Sequence, residues 1–99
     1  MIQESVPYKN GVAEGYVIPL GPANLVVVVT KRGMIGCGAF DVEALDKFEY
    51  PAARVKPTRG SSIANVEDLL AGEIKDANSA AEKLGVRAGM SGKDGLDLL

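Results

Sequence analysis

The sequence predicts an α+β fold: a single domain with a mixed, mostly antiparallel sheet of about five to six strands, packed by three helices. Three observations carry that expectation. Short β-branched or alternating segments fill the first 37 residues, separated by turn signals at Asn10-Gly11, Gly21-Pro22 and Lys31–Gly33. A short helical pattern beginning at Asp41 lies between two strand-like stretches, Met34 to Cys37 and Ala52 to Val55. From Asn65 onward the apolar residues follow a helical period.

The elements follow in order. Ile2, Val6 and Tyr8 share one parity, so Ile2 to Tyr8 reads as a strand. Asn10-Gly11 is a type I′ hairpin signal, since both turn positions favour positive φ, and Val12 to Leu20 is the return strand. Pro19 lacks a ladder donor and belongs near that strand's end or on an edge. The run "LVVVVT", Leu25 to Thr30, is continuously apolar before its threonine, which predicts cover on both faces. After the Lys31–Gly33 turn, Met34 to Cys37 is its partner strand. Asp41 is placed to cap a helix that carries Val42, Leu45 and Phe48 on one face. That helix makes a parallel crossover to Ala52–Val55 the natural connection. A loop follows, Lys56 to Ser62, with a short strand expected around Gly60–Ile63. Asn65 as N-cap and Asp68 three residues later open one long helix, carrying Val66, Leu69, Leu70, Ile74, Ala77, Ala81 and Leu84 and ending at Gly85. Gly72 lies inside it at a cost of about 1 kcal/mol relative to alanine. Ser91 and Asp94 cap a last helix, weakened by Gly92 and Gly95.

Composition narrows the chemistry. The 99 residues include five aromatic side chains and no tryptophan, so Val, Leu, Ile and Ala must build the core. A core of that size is small, and association would extend it; a homodimer is expected. Eleven basic and thirteen acidic residues give a net charge of −2, which speaks against a nucleic-acid or anionic-membrane partner. No histidine is present, which removes Ser-His-Asp and Cys-His catalysis and His-ligated zinc. A single cysteine cannot form an internal disulfide and fits a reducing, cytoplasmic setting. The first residues lack the basic-then-apolar order of a secretory signal, and the apolar run Leu25–Val29 is far too short to span a bilayer.

Two places invite a ligand. In "GCG", Gly36-Cys37-Gly38, a thiol lies between a strand and a helix. As a dinucleotide turn G-x-G-x-x-G the match fails at its third glycine, where Asp41 would repel a pyrophosphate. The remaining alternatives are thiol chemistry or metal capture centred on Cys37, with Gly36, Gly38 and Asp41 around it, or plain burial of a small apolar side chain. The second place is "GMSGKD". As a P-loop it fails, with Arg87 where the first glycine belongs and Asp94 in place of Ser or Thr. Anion binding at the start of the last helix by Ser91, Gly92, Lys93 and Arg87 is the weaker expectation, since ordinary capping needs the same residue types. Arg54, Lys56 and Arg59 read as a solvated basic loop, and Asp46, Glu49, Glu67, Asp68, Glu73 and Asp76 as solvated helix faces.

The stretches "NLVVVVTKRGMIGCGAFDVEAL", "VEDLLAGEI" and "AAEKLGVRAGMSGKDGLDLL" together resemble the YunC-like family of small bacterial and archaeal domains of unknown function. The resemblance runs over nearly the whole chain. It implies a single α+β domain with one short crossover helix after the fourth strand and two helices at the C-terminal end. It also implies that Cys37 and Gly38 belong to the family pattern, and it assigns no catalytic residue. Two departures stand out. Ser62-Ile63-Ala64 occupies the place of a Gly-Val pair, and Gly95 replaces an alanine, which predicts a looser last helix. The expectation for function is a non-enzymatic domain, without a cofactor, that binds a small ligand or a protein partner.

Overall fold

The computed structural model describes residues 1–58, 60 and 62–99. Its strands are β1 (Ile2–Tyr8), β2 (Gly11–Pro19), β3 (Asn24–Val29), β4 (Met34–Cys37), β5 (Ala52–Lys56) and β6 (Glu73–Ala77). Its helices are α1 (Val42–Asp46), α2 (Val66–Ala71), α3 (Ser79–Glu82) and α4 (Gly92–Asp97). The strands form one sheet in chain order, antiparallel at every step except β4–β5, which run parallel. No tight turn can join a parallel pair, and α1 is the crossover that does so. The architecture is the α+β fold expected, with six strands, and four short helices instead of three.

The inner face of the sheet carries Val6, Val17, Val26, Val28, Ile35, Val55 and Ile74, buried under Val66, Leu69, Leu96 and Leu99 from α2, α4 and the chain's end. The outer face has a smaller cluster, Met34, Val42 and Ala52, where α1 lies against β5. The apolar run of β3 is therefore covered unequally. Val26 and Val28 are fully buried, but Val27 and Val29 are only half-buried because α1 does not extend over their strand. The expected double cover is realised on one face.

The β1–β2 hairpin forms one residue earlier than the Asn10-Gly11 signal suggests. Tyr8 pairs with Gly11, so the loop is Lys9-Asn10, and the positive φ (143°) falls on Gly11 at the start of β2. Asn10 is not at positive φ, so the turn is not type I′. At the β3–β4 turn, Thr30 Oγ1 accepts from the Arg32 and Gly33 amides, both at 3.1 Å. Gly33 is required there, since a Cβ would stand 2.2 Å from the Pro51 carbonyl oxygen.

The long helix expected from Asn65 to Gly85 does not form. Its first six residues are α2, capped by Asn65, whose side chain accepts from the Asp68 amide. At Gly72 the chain becomes extended (ψ −175°), and a Cβ there would meet Val55 Cγ1 at 2.4 Å and the Lys56 oxygen at 2.6 Å. The next five residues are β6 and the helix resumes only as α3. The apolar period was real, but Ile74 fits a strand equally well. An unpaired β5 edge offers backbone bonds that a continuing helix would leave unmade. Cross-strand pairs Arg54–Asp76 and Lys56–Glu73 complete the match, and the register skips Lys75 as a bulge. Glu73 and Asp76 are thus strand residues, not part of a helix face. The outer edge of β6 is closed by the following segment, with Ile74 N donating to Met90 O (2.7 Å) and Gly89 N to Ile74 O (2.9 Å). The further strand expected around Gly60–Ile63 is absent at Gly60, Ser62 and Ile63, and Ser61 lies outside the described residues.

The glycines of the last helix bring it closer rather than loosening it. A Cβ at Gly92 would stand 2.2 Å from Leu69 O, so α4 touches α2 at the backbone. Gly95 lies against Ile74 Cδ1, where a Cβ would be 3.0 Å away.

Asn78 joins these parts. It is 1% exposed, and its amide makes four hydrogen bonds. Oδ1 accepts from Ala52 N (3.1 Å) and Ala81 N (2.9 Å), and Nδ2 donates to Val42 O (3.0 Å) and Tyr50 O (2.8 Å). Its backbone N–H donates to Ala52 O (3.0 Å). Asn78→Ala leaves those four groups unpaired in a dry interior and is expected to cost about 3–4 kcal/mol in urea unfolding. Asn78→Asp keeps the acceptor but loses both donors and sets a charge beside two carbonyls, so at neutral pH it is expected to be no more stable than the alanine variant.

Three carboxylates are held below their ordinary range. Asp46 accepts from Ser79 Oγ (2.6 Å) and Ala80 N, Asp76 is paired with Arg54, and Asp97 accepts from the Lys9 amide and from Lys93. Groups depressed in the folded state stabilise it above their unfolded pKa, and that stability is lost as pH falls through the folded value. The three are therefore expected to leave stability unchanged above about pH 5 and to lower it progressively below about pH 4. Acid titration followed by circular dichroism checks this. The combined Asp46→Asn, Asp76→Asn, Asp97→Asn variant should show a flatter acid limb.

Candidate functional site

The site builds from the one parallel step in the sheet. In open sheets with parallel strands, ligands collect in the crevice beyond the strands' carboxyl ends. β4 and β5 both end at the same side, with Cys37 paired to Val55. Beyond them is a groove of about 240 Å³ whose walls include Asn24, Cys37, Gly38, Val55, Pro57 and Ile63. Ala23 and Ser62 stand at its rim. Cys37 is its floor: the residue is buried, packed into the inner-face core, and free of any disulfide. The walls are mainly apolar, and no charged residue among the described ones lines them.

The two glycines around Cys37 have different reasons. Gly36 is needed for packing, since a Cβ would stand 2.5 Å from the Phe40 ring and 2.9 Å from Met34 Cε. Gly38 is not: its φ lies outside the left-handed region, and a Cβ there would meet nothing within 4 Å. Neither backbone conformation nor internal packing accounts for glycine at this position. Asp41 caps α1 by accepting from Ala44 N (3.0 Å) and lines neighbouring grooves on the outer side, apart from the one floored by Cys37. Cys37 and Asp41 line no common groove among those described, and Gly38 borders both. Among the described residues no group of three Cys, Asp or Glu side chains is placed to share a metal ion.

The C-terminal residues are engaged within the chain. Ser91 Oγ accepts from Asp94 N (3.0 Å), and the Gly92 amide donates to Gly72 O (2.9 Å). Lys93 pairs with Asp97 at 3.0 Å, and Arg87 Nη1 donates to the Glu82 and Val86 carbonyls. Ser91 Oγ is the acceptor of the α4 cap, while the Gly92 amide, Lys93 and Arg87 each donate to a partner within the chain. The basic loop is likewise paired where it is described, Arg54 with Asp76 and Lys56 with Glu73; Arg59 lies outside the described residues. The outer-side groove that includes Phe40 and Glu43 is walled in part by the Arg54–Asp76 ion pair, and Asp46 is bonded across to α3.

Sequence reasoning found Cys37 and Gly38 but missed Asn24, Val55, Pro57 and Ile63. Asn24 reads locally as part of a chain break, "GPAN", and Pro57 as loop; their shared groove is a product of sheet order. Asn24 is held there by its Nδ2 donating to Ala64 O (2.9 Å).

An open sheet with one parallel crossover and an apolar crevice at its carboxyl ends defines a small α+β domain. The chain belongs to the family described as "Domain of unknown function (DUF1805)", whose model matches residues 36–99, from the first glycine of the Cys37 triplet onward. It is similar to the "Uncharacterized protein YunC" of Bacillus subtilis (strain 168), 30% identical over 79 residues, covering 80% of this chain and 77% of that protein. Its fold is similar to that of a protein of unknown function, TA1206, from Thermoplasma acidophilum, known from a crystal structure. The TM-score is 0.85 at 23% identity, over 97% of this chain and 89% of that one. The resemblance read from the sequence is therefore correct at the level of family and fold.

The glycine geometry gives opposite signs for two similar substitutions. Gly36→Ala is expected to destabilise by about 1–2 kcal/mol, since the Phe40 ring must move. Gly38→Ala should stabilise by about 0.4–1 kcal/mol by restricting the unfolded chain. Thermal melts of the two variants beside the wild type check both signs.

Proposed function

We propose that this chain is a non-enzymatic binding domain, working in the cytoplasm as a homodimer, whose site is the apolar groove at the carboxyl ends of β4 and β5. The observation that carries the reading is Gly38. A glycine with ordinary backbone and open space around it has no role inside the fold, and it stands at the mouth of a groove floored by a free thiol. A backbone left bare at a groove allows close approach by a ligand. The wall chemistry supports a small uncharged, apolar ligand or an apolar side chain of a partner, oriented by the polar groups of Asn24 and Ser62. The free cysteine, which has no second cysteine to pair with, supports a reducing compartment. No helix among the described residues is long and apolar enough to cross a membrane.

Titration of the ¹⁵N-labelled protein with indole, a small uncharged apolar probe, tests the reading. The expected result is saturable shifts at the amides of Asn24, Gly38 and Ile63, lost in Gly38→Val. Shifts that map elsewhere, or binding unchanged by Gly38→Val, would overturn it. Alkylation of Cys37 by iodoacetamide faster than that of free cysteine would instead favour the thiol-chemistry alternative.

A further inference from the structure

We infer that Asn10 is a site of covalent modification, where the folded chain converts to isoaspartate without an enzyme and so loosens its first hairpin. The sequence has asparagine at positions 10, 24, 65 and 78, and only Asn10 precedes a glycine. The structure sets it apart as well. Asn24 Nδ2 donates to Ala64 O (2.9 Å), and Asn65 Oδ1 accepts from Asp68 N (2.8 Å) as the cap of α2. Asn78 is buried with its amide fully bonded. Asn10 and Gly11 are both exposed at the tip of the β1–β2 hairpin. Among the described residues the loop's one side-chain tie runs from the Lys9 backbone, and the Asn10 amide makes no hydrogen bond.

The reaction needs the Gly11 nitrogen to reach the side-chain carbonyl carbon of Asn10. A side chain on the following residue would crowd that approach, and Gly11 has none. The surroundings are open too, since even a Cβ at Gly11 would meet nothing within 4 Å. Tyr8–Gly11 is the last rung of the ladder before the loop, where pairing opens most readily. The Gly11 amide loses its proton to hydroxide, and its nitrogen forms a bond to Asn10 Cγ. The Cγ–Nδ2 bond breaks, and Nδ2 takes a proton from water and leaves as ammonia. Water then opens the succinimide. Addition at Cγ gives aspartate; addition at the main-chain carbonyl gives isoaspartate, in which the chain runs through Cβ and Cγ. One water is consumed, one ammonia is released and nothing is oxidised or reduced. Asp94-Gly95 carries the related acid-glycine chemistry but is protected. Gly95 N donates to Ser91 O (3.0 Å) inside α4, and Gly95 is buried there.

The product changes the hairpin. A two-residue loop fixes the register of the strands it joins, so an added main-chain atom displaces β1 against β2. Lys9, the other loop residue, donates its amide to Asp97 Oδ1 on α4 (3.0 Å), so that tie is disturbed with it.

The test is incubation of the folded full chain at mildly alkaline pH and physiological temperature, followed by peptide mass spectrometry. Isoaspartate is counted by enzymatic methyl labelling, and the denaturant-unfolded chain is carried in parallel. The expected result is the mass gain of an amide-to-acid exchange at Asn10, faster at higher pH. Methyl label should appear at Asn10, with no gain at Asn24, Asn65 or Asn78 and no label at Asp94. Asn10→Gln, an exposed change whose fold a thermal melt checks, should abolish the Asn10 signal. A folded chain that stays unmodified while the unfolded chain converts, or equal conversion at all four asparagines, would overturn the site. The effect on the hairpin is read by isolating the isoaspartate form and melting it beside Asn10→Asp, which carries the same charge on an unlengthened chain. The isoaspartate form is expected to melt lower and to shift the Lys9 amide resonance. Identical melts and spectra would remove the structural consequence and leave the modification standing.

Discussion

One buried amide holds the parts of this fold in register. Asn78 is bonded at once to the start of α1, the turn before β5, the first residue of β5 and the first turn of α3. These pieces come from sequence positions 26 to 36 residues away as well as from its own helix. A crossover connection leaves backbone groups at both ends of its helix without ladder partners, and in a dry interior each must be satisfied. Asparagine is suited to this, since its amide offers two donors and an acceptor oxygen with two lone pairs. The parallel β4–β5 step, and with it the groove at the strands' ends, depends on that closure.

Glycine has a different role at each place where it matters. Gly33, Gly72 and Gly92 stand where another segment's backbone comes within 2.2–2.6 Å of a hypothetical Cβ, so they set how closely turns and helices approach the sheet. Gly36 yields to an aromatic ring. Gly38 alone of the pair beside Cys37 is left without a packing reason, since a Cβ there would meet nothing within 4 Å. The sulfur itself belongs to the core, and Cys37 is both buried there and part of the groove's lining.

How much was legible varied by element. The first five strands and the crossover helix could be read because alternation, turn residues and the Asp41 cap all agreed locally. The segment after Gly72 could not. Ile74, Ala77 and Ala81 satisfy a helical period and Ile74 an extended one, and only the bare edge of β5, with Arg54 and Lys56 ready to pair, favours the strand. At the site, Cys37 and Gly38 were visible as an unusual triplet. The remaining walls come from the start of β3, the end of β5 and the loop before α2, and nothing in the spacing of Asn24, Val55 and Ile63 indicates that they meet.

The sequence by itself determined the fold class, the hairpins, the caps at Asp41, Asn65 and Ser91, and a chemistry without histidine or a second cysteine. These are consequences of local backbone preference and of which side chains exist at all. Tertiary structure decided that the long apolar stretch would break at Gly72 and again at Asn78, that β3 would be covered fully on one face only, and that Lys93 and Arg87 would spend their charge within the chain. Those outcomes turn on unpaired edges and unsatisfied backbone groups, which come into being only when distant segments are brought together.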